Sequence, residues 1–418
     1  MSDRLFTLLF ISILLLITDR YIFKALLGAK IRIIDKHRRT FTWLYWGYSI
    51  VLIFGVLAGV YFNIKLTARA VILVAFFLTF ATKLFFLPFL FIDDIRRGII
   101  WLSRKLKKNS APIENSAEPQ NNKISRSEFI VKSGLLVAAV PLASLSWGII
   151  SGAYDYQLTR RKLYLKNLPK GFHGLKIAQI SDVHSGSFYN PKAVLGGVEM
   201  LLGEKPDLIL FTGDLVNNQA SEMSDYQAIF SKAKAPLGVF SVLGNHDYGD
   251  YYYGKQPSAA KAKNLEALIK VHQQMGWDLL LDEHRRVKVG NEEIGILGCQ
   301  NWGAGRFIQK GDLIKTLKGT EDLPVKLLMS HDPSHWKAQI LNHPDIDVTF
   351  SGHTHGMQFG VKTEEFKWSP VEYIYKEWAG LYSEKQQQLY VNVGYGFLGY
   401  PGRVGILPEI TIFELQQS

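Results

Sequence analysis

Two stretches near the start of the chain, residues 41–62 and 70–91, each match the roughly 20 mostly apolar residues that a helix needs to cross a bilayer, and no other feature constrains the fold as much. In hydrocarbon every backbone N–H and C=O must be satisfied within the segment, so both are expected to be helices. Lys83 falls inside the second and needs a protein neighbour or a route to the interface. Residues 5–18 are short for a span but can continue past Asp19 and Arg20 to Leu27. Residues 134–153 are rich in small side chains and contain Pro141, which membrane helices tolerate. The expected plan is therefore transmembrane helices at about 5–18, 41–62 and 70–91 within residues 1–104, then a polar linker over 105–132. A transmembrane signal-anchor helix follows over 134–153, and a water-soluble domain over 155–418.

Lys and Arg in short loops set the orientation of such a bundle. Lys24, Lys30, Arg32, Lys36, Arg38 and Arg39 lie between the first two stretches. Arg96, Arg97, Arg104, Lys105, Lys107, Lys108, Lys123, Arg126 and Lys132 lie between the last two. Both loops are expected in the cytoplasm, and the linker with them, because the connection over 63–69 carries only Lys65 and Arg69. Four crossings then place everything after Ala153 outside, giving a multi-pass protein of the cell (inner) membrane with an extracytoplasmic domain. Ser125-Arg126-Ser127-Glu128-Phe129-Ile130 before the last apolar run is similar to a twin-arginine export signal, but the paired arginine is missing and the element is internal. A signal anchor is the simpler reading.

The net charge of +11 raises the question of nucleic acid, but its location answers it. The first 154 residues hold 20 Lys and Arg against 8 Asp and Glu, whereas the remainder holds 28 against 29. The soluble part is close to neutral, and nucleic acid is not an expected partner. Cys299 is the one cysteine, which excludes an internal disulfide framework and a multi-cysteine zinc site. It reads as a buried apolar thiol.

From Asp155 onward short β-rich runs alternate with helical or turn segments, as in a layered α/β domain. Several runs end in polar residues: Asp182-x-His184, Gly213-Asp214, Gly244-Asn245-His246-Asp247, Ser330-His331-Asp332, and Gly352-His353-x-His355-Gly356. Polar groups at the carboxyl ends of buried strands converge on one rim, where ligand sites form. The donors are carboxylate, amide and imidazole without thiolate, which suits Mn, Fe, Zn or Ni without selecting among them. In an extended segment Asp182 and His184 point to one side and can chelate one ion. His353 and His355 share that spacing, but a turn there could aim them at different ions. Gly352 and Gly356 let the backbone approach without a Cβ.

These five blocks, in this order and spacing, resemble the calcineurin-like metallophosphoesterase family, in its membrane-associated bacterial form. The resemblance covers about residues 162–415, including the approach Leu175-Lys176-Ile177-Ala178 and the ending from Asn392-Val393-Gly394 through Pro401-Gly402-Arg403 to Pro408-Glu409-Ile410. It implies a four-layer α/β/β/α sandwich, here preceded by an α-helical transmembrane region. It implies two divalent metal ions, one held by Asp182, His184 and His355, the other by Asn245, His331 and His353, with Asp214 bridging. His246 would protonate the leaving oxygen or stabilise phosphoryl charge, and Asp247 would orient it. Asn217 stands where many members carry aspartate, which weakens the expected support around the ligands.

Five of the eleven histidines fall in the blocks, and His37, His173, His272, His284, His335 and His343 get no role. The insert over 358–388 carries Phe359, Phe366, Trp368, Tyr373, Tyr375, Trp378 and Tyr382, either as a lid at the membrane interface or as an extra packed subdomain. Tyr251, Tyr252 and Tyr253 are candidates for the same mouth, and Arg403 is a candidate substrate contact or structural ion pair. The expected activity is metal-dependent hydrolysis of a phosphodiester or diphosphate bond in a phosphoester substrate, lipid-linked or belonging to the envelope, with membrane lipids as partners. Some membrane-associated relatives act on UDP-diacylglucosamine-type pyrophosphates; the expected topology disfavours that substrate, because such nucleotide-lipid intermediates are cytoplasmic. The alternative is a non-hydrolytic membrane sensor or scaffold built on the same fold.

Overall fold

A computed structural model of the chain describes residues 2–62, 66–106, 126–363 and 365–418. The chain divides into two compact units, Met1–Ser146 and Trp147–Ser418. Most of the expected linker, residues 107–125, lies outside the described residues, as do 63–65 of the expected outer connection.

The first unit is helical: α1 (Ser2–Gly28), the short α2 (Arg32–Lys36), α3 (Arg38–Tyr61), α4 (Leu66–Leu106) and α5 (Arg126–Ile150), the last running on into the second unit. The expected segment 5–18 continues without a break through Asp19 and Arg20, and residues 126–132 of the expected linker are already helix. Among the described residues three helices are long and apolar enough to cross a membrane, Arg38–Gly59, Val71–Leu106 and Arg126–Tyr154. Ile22 and Leu26 of α1, Phe86 and Leu90 of α4, and Val131 and Ala138 of α5 form the buried seam of this unit. Trp43, Val51, Phe54, Leu84, Phe85 and Val140 face outward, which in water would be an untenable apolar surface and in a bilayer is the ordinary one. Lys83 has its neighbour: Nζ lies 2.5 Å from Oδ1 of buried Asp19, which also accepts from the Tyr45 hydroxyl at 3.0 Å.

The second unit contains two six-stranded sheets. The strands are β1 (Gln157–Leu165), β2 (Lys176–Ile180), β3 (Leu208–Phe211), β4 (Val239–Ser241), β5 (Asp278–Leu279), β6 (Glu283–Val289), β7 (Glu292–Gly298), β8 (Lys326–Met329) and β9 (Val348–Ser351). A small hairpin, β10 (Val361–Lys362) with β11 (Lys367–Trp368), precedes β12 (Gly380–Glu384), β13 (Gln387–Val391) and β14 (Glu409–Gln417). One sheet has the order β1-β14-β2-β3-β4-β5 and the other β12-β13-β9-β8-β7-β6. In the first, β2 to β5 are parallel; in the second, β13, β9, β8 and β7 are parallel.

Alternation along the strands builds four layers. Leu208 and Leu210 point between the sheets with Ile177, Leu327, Met329 and Phe350, while Ile209 and Phe211 point outward with Ala178 and Ile180. That outer face is covered by α6 (Pro191–Gly203), α7 (Gln227–Phe230) and, after the single turn α8 (Asp250–Tyr253), by α9 (Ala259–Met275). Leu297 and Leu328 face the other way, onto α10 (Leu313–Leu317) and α11 (Ser334–Ala338) through Leu313 and Trp336. Strands buried on both faces read as continuous apolar runs, and parallel sheets covered on both sides require them. The α/β/β/α sandwich therefore follows from period-two side-chain direction plus helices on each outer face.

Candidate metal centre

The polar residues sit where β2, β3, β4, β8 and β9 run out, so five chain segments deliver them to one rim. The backbone there is unusual. Asp182, His184, Asp214, His353 and His355 all have positive φ, between 48° and 72°. Such conformations cost side-chain-bearing residues roughly 1–3 kcal/mol each and persist only where the surroundings enforce them. Gly352 explains part of the crowding: a Cβ there would come within 2.1 Å of Asp182 Oδ2.

The described residues form two adjoining groups of potential ligands, Asp182 with His184 and His355, and Asp214 with His331 and His353. In the first, His355 Nε2 lies 3.1 Å from Asp182 Oδ1 and 3.0 Å from His184 Nε2. In the second, His331 Nε2 lies 3.1 Å from Asp214 Oδ2, and Asp214 Oδ2 is also 3.5 Å from His184 Nε2 of the first. Asn245 joins the second group through Oδ1, 2.8 Å from His353 Nδ1. All seven expected ligands are thus in one place, with Asp214 between the groups.

The donor set fits cations. His331 Nδ1 donates to the Thr212 carbonyl at 2.7 Å, which turns Nε2 inward, where it is buried without a hydrogen bond. Burial alone would lower the His331 pKa, but Asp214 and Asp182 lift it to about 10. The carboxylates demand positive charge at this spot, and a divalent ion answers that demand as a proton does. At His353 the pattern is sharper. Tyr375 donates its hydroxyl hydrogen to Asp332 Oδ2 at 3.2 Å and so accepts from His353 Nε2 at 2.9 Å. Nδ1 of His353 then carries a lone pair, as does Asn245 Oδ1, whose amide nitrogen donates to the Tyr251 hydroxyl at 3.0 Å. Two lone pairs 2.8 Å apart repel unless a cation lies between them; the tautomer and amide orientation are those the hydrogen-bond network assigns.

His246 stands beside both groups and is half-buried. Its backbone N–H donates to Asp214 Oδ1 at 2.8 Å, and its Nδ1 lies 2.8 Å from the Asn217 carbonyl oxygen. Tyr251 lies over the ring at a centroid distance of 4.5 Å. Two expectations change here. Asp247 does not orient His246: its carboxylate accepts from the backbone N–H groups of Asp214, Leu215, Val216 and Gly244, at 2.8–3.2 Å, and ties the β3 and β4 exits together. Burial, with Asp214 close by, nevertheless pushes Asp247 up to about 7. Asn217 supports His246 through its carbonyl, so the departure from aspartate leaves that contact intact.

Arg403 is not at the mouth. It is buried, and its guanidinium donates to the carbonyls of Gly396 at 2.9 Å, Val393 at 2.8 Å, Gly394 at 3.2 Å and Ile406 at 3.3 Å, which leaves no fork for a phosphate. Its Nη2 is 3.3 Å from His355 Nδ1, so it braces the loop behind that ring. The aromatic insert packs rather than hangs free: Val371, Trp378 and Ala379 share a buried cluster with Val393 and Ile406, and the Trp378 carbonyl accepts from Thr354 at 2.7 Å. Cys299 is buried, and of the histidines outside the five blocks His272 and His335 are interior. Tyr375 and Asp332 had no assigned role in the sequence. The Asp332 signal was its place beside His331, whereas nothing separates Tyr375 from its aromatic neighbours.

Two family models match the chain, the transmembrane domain of probable calcineurin-like phosphoesterases at residues 3–153 and the calcineurin-like phosphoesterase domain at residues 175–357. A zebrafish (Danio rerio) transmembrane protein with metallophosphoesterase domain is 26% identical over 65% of this chain and 60% of its own length, so the chain spans under two thirds of that relative. An uncharacterised metallophosphoesterase of Bacillus subtilis, YkuE, is 27% identical over 71% of this chain and 99% of its own. The UDP-2,3-diacylglucosamine pyrophosphatase LpxG of Chlamydia trachomatis is 31% identical over 64% of this chain and 92% of its own. The chain belongs to the calcineurin-like phosphoesterase family, in the form that carries a transmembrane domain ahead of the phosphoesterase domain.

Proposed function

We propose that the chain is a membrane-anchored, dinuclear metal-dependent phosphoesterase that hydrolyses a phosphodiester or diphosphate bond in a lipid-linked or envelope substrate. The observation that carries this reading is the pair of adjoining ligand groups joined at Asp214 and His184, with His246 beside them and not among them. When bound, a pair of divalent cations supplies Lewis acidity at phosphorus and activates water. The chain's own residues do the rest. With Nδ1–H given to the Asn217 carbonyl, His246 Nε2 carries a proton only in the imidazolium form. That form both donates to the leaving oxygen and opposes the charge gathering on the phosphoryl group. Asp247 holds the β3 and β4 exits, and hence Asp214 and Asn245, in register through four amide hydrogen bonds.

We further place the catalytic unit outside the cytoplasm, on the loop charges given above. The substrate of the chlamydial relatives would need the opposite face, so one reporter experiment discriminates. A periplasm-only reporter fused after Ser418 should be active; a silent one, with a cytoplasmic reporter active at the same point, reverses the orientation and favours a nucleotide-lipid diphosphate.

Activity is tested on the full chain in detergent with added Mn²⁺, using bis(p-nitrophenyl) phosphate and p-nitrophenyl phosphate. Metal-dependent turnover lost in Asp214→Ala and His246→Ala supports the enzyme. No turnover from folded protein that has taken up metal would favour a sensor or scaffold.

A further inference from the structure

A cavity of about 730 Å³ opens beside the metal centre, with Asn245 and Tyr251 on its wall. The same Tyr251 covers His246, and Phe307, also on the wall, sets its ring against His353 at a centroid distance of 4.7 Å. The cavity is therefore reached from the place where a scissile phosphate would sit. Its wall is basic: Lys255, Lys261, Arg306 and Lys310 line it, with Asp250 as the acidic member. Asp250 is taken by Lys261. The contacts of Lys255 and Lys310 are neutral: Lys255 Nζ donates to the Arg306 carbonyl at 3.3 Å, and Lys310 Nζ sits 5.4 Å from the centre of the Tyr248 ring. Among the described residues no acidic partner faces Lys255, Arg306 or Lys310. Leu265, Ile308 and Phe307 supply the apolar part of the wall.

Lys255, Arg306 and Lys310 are exposed and stay hydrated, but three like charges without acidic partners around one concave wall focus a positive potential that draws an anion in. The planar fork of Arg306 with two ammonium groups suits a phosphoryl group in particular. Resting on the phosphoesterase reading above, we propose that this cavity binds a second phosphoryl group of the substrate, carried on one of the two arms of the scissile phosphate. The substrate class is then a phosphodiester or diphosphate whose scissile phosphorus is joined, through a short apolar or ring-bearing link, to a further phosphate. An uncharged or purely acyl arm would leave the three cations unanswered.

The test uses the full chain with Mn²⁺ and two p-nitrophenyl phosphodiesters. One carries a 3-hydroxypropyl arm; the other is the same diester phosphorylated on the free hydroxyl. The quantity read is the ratio of kcat/KM for the phosphorylated diester to that for its parent, in one protein preparation, so that losses in folding or metal loading cancel. The wild type should prefer the phosphorylated diester by about tenfold or more, the scale of one to two charge-assisted hydrogen bonds. Arg306→Gln and Lys310→Gln should each remove most of that preference. A wild-type ratio near one, with both diesters turned over, overturns this inference and leaves the phosphoesterase reading standing. A preference retained in both variants overturns it as well. Failure to hydrolyse either diester, or bis(p-nitrophenyl) phosphate, sinks the phosphoesterase reading and this one with it.

Discussion

The Tyr375 hydroxyl lies 2.9 Å from Nε2 of His353, so an aromatic residue from the insert after the last histidine block supports the ring of an expected ligand. Burial, and then Asp332, push the phenol above its usual range, which keeps it a neutral donor to the carboxylate. The chain of bonds from His353 through Tyr375 to Asp332 fixes which nitrogen is free to face the second ligand group. Partners of this kind typically carry 10–100-fold in metal affinity or activity. Tyr375→Phe should therefore weaken Mn²⁺ activation by about that factor, seen as a rightward shift in a metal titration, with little change in folding. An unshifted titration would mean that His353 is held by its other contacts.

A second prediction concerns Asp247, whose carboxylate takes four backbone N–H groups from two strand exits. Asp247→Asn replaces one accepting oxygen by an NH₂ group aimed at donors. Hydrogen bonds to a charged group are worth roughly 1.5–3 kcal/mol each, so above about pH 8, where the Asp247 carboxyl is ionised, a loss of about 3 kcal/mol in stability is expected. Thermal unfolding of the purified chain reads it directly. A melting temperature within a degree of wild type would show that the carboxylate is not the clamp between these exits.

These two residues also mark what the sequence could and could not convey. The strand ends were legible because each buried run stops at a polar block, and Leu208 to Phe211 alternate between two cores as a two-sided strand must. Asp247 was visible as a member of its block, but its role was not, because adjacency to His246 says nothing about which amides its carboxylate meets. Arg403 stays open between a substrate contact and an ion pair in the sequence for a related reason: Gly396 and Ile406 fold their carbonyls around it, a contact set by the loop and not by spacing. Tyr375 was one aromatic residue among many until the insert packed against Val393 and Ile406. In the membrane unit, Lys83 announced that it needed a neighbour, yet nothing in the sequence named Asp19.

That pair yields a third prediction. Lys83 and Asp19 lie on different helices and are both largely withdrawn from the surface of the unit. Removing one partner of a buried pair leaves a charge uncompensated, at about 3–5 kcal/mol, whereas replacing both by apolar groups is often near neutral. Asp19→Leu should thus lower the thermal stability of the helical unit in detergent, and adding Lys83→Met should restore most of the loss. A double variant no better than the single one would show that the helices are held by packing at Ile22, Leu26 and Phe86 alone.

The last prediction is a pH dependence. His272 is fully buried on α9, with Nδ1 3.0 Å from the Ser241 hydroxyl, and burial lowers its pKa to about 3. In the unfolded chain a histidine titrates near 6.5. Between those values the unfolded state binds a proton that the folded state refuses, so stability contributed by neutral His272 is present above about pH 6.5 and is lost as pH falls towards 3. The slope is about 1.4 kcal/mol per pH unit for this one group. Other buried groups titrate in the same range, Asp347 with the opposite sign because burial raises it to about 6. The comparison must therefore be made against a variant, not read from the wild-type curve. His272→Asn keeps a polar partner for Ser241 and removes the titration. The stability difference between wild type and variant should be flat above pH 7 and move in the variant's favour by about 1.4 kcal/mol per unit from pH 6 down to pH 4. A constant difference across that range would mean that His272 gains a proton without unfolding its surroundings.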